Sequence, residues 1–103
     1  MRILFIGDVV AGAGRDCVKR LLPALREEHR IDLTIANGEN AAGGLGATPQ
    51  VIRELLQSGV QVITMGNHTW RKKELLPDID SMTQVIRPAN YPAGVPGRGA
   101  AFV

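Results

Sequence analysis

Three short apolar runs, each closed by polar turn residues, set the rhythm of this chain. Ile3 to Gly7 runs into Asp8, Leu33 to Gly38 into Glu39-Asn40, and Val60 to Met65 into Gly66-Asn67-His68. Unbroken Ile, Leu and Val without alternation is how parallel strands buried on both faces read. The runs predict strands over Arg2 to Gly7, Leu33 to Ala36 and Val60 to Met65. Between the first two, Val18, Leu21, Leu22 and Leu25 recur at helical spacing and predict a helix from Arg15 to His29, kinked or divided at Pro23. Thr48-Pro49 opens a second helix, since Thr can cap it and Pro suits the first helical position. Val51, Ile52, Leu55 and Leu56 form its buried face, and Ser58-Gly59 ends it.

The connections are equally legible. Val9 to Gly14 reads as a Gly-rich turn. Asn37 to Ala47, with four Gly and two Asn, is too polar and flexible for a regular element and is expected to be a surface loop carrying Glu39 and Asn40. Lys72 to Leu76 predicts a short helix, Gln84 to Ile86 a fourth strand, Arg87 to Gly99 a Pro/Gly-rich loop, and Ala100 to Val103 the opening of a further strand. The order is β-α-β-α-β, one α/β domain over residues 1–103, expected to be incomplete at its carboxyl end. Right-handed crossovers place the strand ends named above on one edge of the sheet.

Composition narrows the class. Aromatic residues make up only 4% of the 103 residues, so the core is built from Val, Ile, Leu and Ala, and an aromatic platform for single-stranded nucleic acid is excluded. Net charge is +2, but basic and acidic residues interleave, as in Arg26-Glu27-Glu28, which describes solvated helix faces and not a basic stripe. The single cysteine, Cys17, rules out an intrachain disulfide and a metal-binding Cys pair; it is expected to be a small buried helix residue. No apolar stretch approaches the roughly 18 residues of a membrane span, and the amino terminus reads directly as a strand, so the expectation is a soluble, cytoplasmic protein with no membrane partner.

The chemistry lies at the edge where the strands end. Asp8, Glu39, Asn40, Asn67 and His68 are expected there, with Arg87 and Asn90 close by, and open α/β sheets bind ligands beyond the carboxyl ends of their strands. Carboxylate, amide oxygen and imidazole suit Mn²⁺, Fe²⁺ or Zn²⁺, and one carboxylate can bridge two ions. Two ions about 3.5–4 Å apart would activate a water and neutralise phosphoryl charge. Taken singly, Gly-Asp, Asn-Gly-Glu-Asn and Asn-His are ordinary turn sequences. Their coincidence at three consecutive strand ends favours a metal site. Gly12-Ala13-Gly14-Arg15 lacks the third glycine of a dinucleotide fingerprint and no P-loop lysine follows. Arg87 and Asn90 read either as phosphate contacts or as turn geometry beside their prolines, and Trp70 as a packing residue.

The order Gly-Asp-Val-Val, Asn-Gly-Glu-Asn-Ala-Ala-Gly-Gly, Thr-Met-Gly-Asn-His-Thr-Trp and Arg-Pro-Ala-Asn-Tyr-Pro resembles the bacterial YmdB-type metallophosphoesterases of the calcineurin-like superfamily, over essentially the whole chain. Generic members of that superfamily share a looser Asp, Gly-Asp and Gly-Asn-His set. Glu39 in place of the usual second Asp, followed by Asn-Ala-Ala, marks the subfamily. The resemblance implies the amino-terminal βαβαβ half of a four-layered α-β-β-α fold. It also implies two divalent ions, Mn²⁺ or Fe²⁺ with Zn²⁺ or Mg²⁺ as alternatives. Asp8 would bind one ion, Glu39 would bridge both, and Asn67 would bind the other. His68 would sit beside the scissile phosphate without binding metal, and Asn40 would assist with metal or phosphate. The implied reaction is phosphodiester hydrolysis on a small nucleotide such as 2′,3′-cyclic AMP, or on an RNA-derived equivalent.

Two departures bear on that expectation. Members of the family are much longer, and their later half supplies further His ligands, whereas this chain has only His29 and His68. Arg71 stands after Trp70 where an acidic residue is expected. A rival reading is therefore a truncated, non-catalytic domain that binds a nucleotide or partner; a Rossmann-like cofactor domain is disfavoured by the broken glycine pattern. Half a sandwich would also leave one apolar sheet face open, which predicts self-association into a homo-oligomer.

Overall fold

The computed structural model describes all 103 residues, Met1–Val103. Strands β1 (Ile3–Ile6), β2 (Leu33–Asn37), β3 (Val62–Thr64) and β4 (Val85–Ile86) form one wholly parallel sheet in the order β1-β2-β3-β4. Its register pairs Phe5 with Ile35, Ile35 with Val62, and Ile63 with Val85. Strand order that follows chain order, with right-handed crossovers, puts the connecting helices α1 (Ala11–Glu28) and α2 (Pro49–Gln57) on the same face. Val18 and Leu22 of α1, Ile52 and Leu55 of α2, and Ala36, Ile63 and Val85 of the sheet are all buried between them. Leu75 and Ile79, each fully buried, close the core from two short 3₁₀ turns, Lys73–Leu75 and Ile79–Ser81. Each such side chain contributes about 1.5–3 kcal/mol by leaving water.

The opposite face is treated differently. Leu4 and Ile6 of β1 pack against the core, but Ile3 and Phe5, alternating with them, are 54% and 57% exposed. The expectation that β1 is buried on both faces is therefore corrected. As an edge strand it has one neighbour, and no layer crosses its second face. The same edge position corrects the expected apolar face of α1: Val18 and Leu22 are buried, whereas Leu21 and Leu25 are exposed and border an apolar groove with Leu4 and Ile6. Cys17 is exposed, not buried, because it borders the same groove, which stays open at the sheet edge beside β1.

Helix α1 begins four residues before the expected Arg15, so Gly12 and Gly14 lie inside it and not in a turn. Gly14 permits this because a Cβ there would crowd Val9 at 3.2 Å, so the first helical turn lies tight against the chain leaving β1. No side chain caps this helix; the Ala11 N–H instead donates to the Asn40 carbonyl at 3.0 Å. Pro23 does not divide it. The ring is exposed; burial of Val18 and Leu22 holds the half before it, and Arg26, donating to the Gly59 carbonyl at 2.9 Å, ties down the half after it.

Helix α2 follows expectation, with Pro49 in its first turn and the Thr48 hydroxyl accepting from the Val51 N–H at 3.2 Å. Lys72 to Leu76 forms a 3₁₀ turn and not an α-helix, and the second 3₁₀ turn was not expected at all. Strands β3 and β4 are shorter than the expected Val60 to Met65 and Gln84 to Ile86. Ala100 to Val103 adopts no regular element, with Phe102 and Val103 exposed; the closing pairing of the chain is instead a parallel bridge between Ile86 and Arg98. No helix is long and apolar enough to cross a membrane.

Candidate functional site

All four strands run the same way, so the turns after β1, β2 and β3 meet at one rim. Asp8 follows β1 with φ of +37°, a left-handed backbone that Asp tolerates better than most side chains. Backbone hydrogen bonds knit its turn to the next one: Val9 N–H to the Asn37 carbonyl, and Ala11 N–H to the Asn40 carbonyl, both at 3.0 Å. Arg15 braces the same loop from α1, donating to the Ala41 carbonyl at 2.5 Å while pairing with Glu54 of α2 at 3.2 Å.

The side chains then join in sequence. Asn40 Nδ2 donates to Asp8 Oδ1 at 2.7 Å, and Asn40 Oδ1 lies 2.5 Å from His68 Nδ1. A carboxylate can only accept, so the Asn40 amide nitrogen must face Asp8 and its oxygen must face the ring. His68 Nδ1 is therefore the donor in this pair, and Nε2 is the ring nitrogen left for other work. Glu39 Oε2 stands 3.9 Å from the same Nδ1 and 3.4 Å from the His68 backbone N–H. The two side chains are only 27% and 19% exposed, so their fields are screened less than those of open surface charges.

Gly66 makes the close approach feasible. A Cβ at this position would collide with the Glu39 carboxylate, so only glycine allows the turn after β3 to lie against that side chain. Asn67 follows it on the same rim with an exposed side chain. The structure thus links Asp8, Asn40, His68 and Glu39 directly and brings Asn67 beside them through its neighbour. Arg87 and Asn90 are not part of this group. The Arg87 guanidinium is spent on the Pro96 and Pro88 carbonyls, at 3.2 and 3.0 Å, and Asn90 is exposed. Arg71, exposed and abutting Gly46, donates its backbone N–H to the His68 carbonyl at 3.1 Å, but its guanidinium makes no hydrogen bond or ion pair with the site. Trp70 packs, its ring 5.0 Å from that of Tyr91.

The donor set fits a hard or borderline divalent cation. It offers two carboxylates, the Asn67 amide, and a buried Asn37 Oδ1 that has no hydrogen-bond partner and whose Nδ2 is 3.4 Å from Glu39 Oε1. It is also sparse, since no cluster of three or more His, Cys, Asp or Glu side chains is arranged to hold a metal. His29 cannot add to it. It caps the far end of α1, where Arg2 at the start of β1 donates to its carbonyl at 2.8 Å, on the opposite rim of the sheet.

Several supporting residues escaped sequence reasoning. Thr69 is fully buried with its hydroxyl donating to the Gly66 carbonyl at 2.5 Å, and Tyr91 donates to the same carbonyl at 2.9 Å. A Thr three residues after Gly is a local signal for such a turn. Tyr91 gave no such signal, because its contact spans 25 residues.

The sequence matches the YmdB-like protein family over residues 4–103, nearly its whole length. The chain belongs to that family. Among YmdB-like relatives, a Bacillus subtilis (strain 168) protein named 2′,3′-cyclic-nucleotide 2′-phosphodiesterase is 53% identical over 103 residues, covering all of this chain and 39% of its own length. A Mycoplasma genitalium protein named as a candidate phosphatase/phosphodiesterase is 40% identical over 90 residues, covering 87% of this chain and 32% of its own length. This YmdB-like chain thus spans about two fifths or less of the relatives it matches. Two crystal structures share its fold. A hypothetical protein from Thermus thermophilus superposes with a TM-score of 0.88 at 48% identity, over 96% of this chain and 38% of that one. A Mycoplasma pneumoniae phosphatase does so with a TM-score of 0.88 at 36% identity, over 94% and 36%. The fold is the amino-terminal βαβαβ half of the calcineurin-like α-β-β-α sandwich, of which the helical layer and the sheet described above form two layers.

Proposed function

We propose that this chain carries the amino-terminal share of a metal-dependent phosphodiesterase site acting on small nucleotides of the 2′,3′-cyclic type. The observation that supports this best is the unbroken contact series Asp8, Asn40, His68 and Glu39 at the carboxyl ends of three consecutive strands. In this reading two divalent ions, Mn²⁺ or Fe²⁺ before Zn²⁺ or Mg²⁺, would be held by Asp8, Glu39 and Asn67 and would supply an activated water and positive charge for the phosphoryl oxygens. Asn40 orients both partners, fixing one oxygen of Asp8 and holding Nδ1 of His68. The imidazolium form of His68 then carries its second proton on Nε2, from which it passes to the leaving oxygen as the phosphorus–oxygen bond breaks. The name of the Bacillus subtilis relative suggests the cyclic nucleotide, and the work would be that of a soluble cytoplasmic enzyme.

One observation favours a second reading, a non-catalytic nucleotide- or partner-binding domain. His68 is the sole imidazole on this rim, so the ligand set is short by the standards of a two-ion centre. The test is hydrolysis of bis(p-nitrophenyl) phosphate and 2′,3′-cyclic AMP with added Mn²⁺. The native chain is expected to turn over, with a loss of about 100-fold or more in both His68→Ala and Asp8→Asn. Activity that survives both substitutions would reject the assigned roles. Mn²⁺ binding without turnover would support the second reading.

A further inference from the structure

The turn Gly66-Asn67-His68 carries two of the residues assigned above; His68 ties it to Glu39 and Asn40, and the Gly66 carbonyl gives it a further tie. The Gly66 carbonyl receives three donors: the Thr69 N–H at 3.1 Å, the Thr69 hydroxyl at 2.5 Å and the Tyr91 hydroxyl at 2.9 Å. Both Thr69 donors are local and would travel with the turn. Tyr91 is anchored elsewhere, on the loop after β4, so it alone among the three ties this carbonyl to another part of the fold. That loop is held by its own bonds. Arg87 grips the Pro88 and Pro96 carbonyls, the Arg87 N–H donates to the Arg98 carbonyl at 2.9 Å, and the Tyr91 N–H donates to the Pro88 carbonyl at 3.3 Å, while the Tyr91 ring makes a second contact with the turn itself, against Trp70. Gly66 itself lies hard against Glu39, whose carboxylate occupies the place a Cβ would take.

We propose that Tyr91 is a positioning residue: its hydroxyl, donating to the Gly66 carbonyl, fixes the orientation of the Gly66 peptide and with it the Asn67-His68 turn beside Glu39, and so sets the spacing of the candidate metal ligands and His68. This rests on the assignment of Asn67 and His68 to the phosphodiester site. Without Tyr91, the Gly66 peptide would lose its one tie to the loop after β4, and the 3.4 Å approach of the His68 N–H to Oε2 would no longer be fixed. The chemistry would remain but its geometry would drift, and small drifts of ligand-bearing turns cost activity out of proportion to stability.

The experiment compares the full chain with Tyr91→Phe, which deletes the hydroxyl and keeps the ring on Trp70, and with Tyr91→Leu, which deletes both. Native-state amide exchange by NMR is the first readout. In Tyr91→Phe the Thr69 and Arg71 amides are expected to exchange about fivefold faster while amides of β1, β2 and α2 keep their rates, the scale of one lost hydrogen bond. Metal-assisted hydrolysis is the second, with kcat expected to fall about tenfold and KM to stay unchanged. A role in packing alone predicts that Phe matches Tyr in both readouts and that only Leu differs; that result, or a rise in exchange spread evenly over the chain, would overturn the proposal. If the native chain shows no turnover with Mn²⁺, the phosphodiesterase reading fails by itself, and the exchange comparison still decides whether Tyr91 holds the turn.

Discussion

Two loops border the candidate site, and they use their polar residues in opposite ways. The segment Asn37 to Ala47, from the last residue of β2 onward, satisfies its backbone both from outside, where Ala11 and Arg15 donate to the Asn40 and Ala41 carbonyls, and from within, where the Gly46 N–H donates to the Glu39 carbonyl. Its side chains are left over for the site, Glu39 and Asn40 outward toward Asp8 and His68, and Asn37 with one buried oxygen unpartnered. The loop after β4, Arg87 to Gly99, turns its polar groups on structure. Arg87 serves carbonyls of its own loop, and Tyr91 serves the carbonyl of Gly66. A side chain whose hydrogen bonds are already taken up by backbone is a poor candidate for substrate chemistry, whatever its residue type. That distinction, and not polarity, separates the loop that acts from the loop that supports.

The largest effect that would sharpen this contrast is expected from Gly66→Ala, which drives a methyl group into Glu39 where the two regions meet. Metal-assisted hydrolysis should fall by about 100-fold or more, with a stability loss of about 1–3 kcal/mol in denaturant titration from the overpacking. Asn40→Ala comes next: it breaks both links of the Asp8-Asn40-His68 series and should lower kcat/KM by about 10- to 100-fold while the unfolding midpoint barely moves. For Arg87→Met the pattern reverses, with about 1–2 kcal/mol lost from stability as two carbonyls lose their donor, and a smaller loss of activity than in Asn40→Ala. Asn90→Ala should do least, within about 0.5 kcal/mol of the native stability and without change in KM. A raised KM in Asn90→Ala would restore the phosphate-binding role that the geometry withholds from this loop.

What could be read from sequence follows the range of the interactions involved. Asp8, Glu39 and His68 were recognisable because an apolar run that stops at a polar turn is a local pattern, and parallel order carries such turns to one rim. The second helix was equally plain, since its Thr48 cap and Pro49 act within a single turn. The start of α1 was not, because Gly12 and Gly14 read as a turn until Val9 is seen to need Gly14 beside it. The burial of β1 was overread: an apolar strand at a sheet edge and one at its centre look alike in sequence, and Ile3 and Phe5 lie at the edge. Cys17 misled for the same reason. For Arg87 the turn-geometry alternative agrees with its bonds to the Pro88 and Pro96 carbonyls, whereas Tyr91 drew no assignment because its partner, Gly66, is 25 residues away and no local pattern names it.

The claim on which the rest depends is that the ends of β1, β2 and β3 form one cation-binding rim. Mn²⁺ titrated into the ¹⁵N-labelled chain, with paramagnetic broadening followed residue by residue, tests it directly. The account predicts that resonances of Asp8, Glu39, Asn40, Asn67 and His68 vanish first and together, and that Glu39→Gln abolishes the effect. Broadening that begins at the acidic helix end Glu27-Glu28, or that is the same in Glu39→Gln as in the native chain, would contradict it.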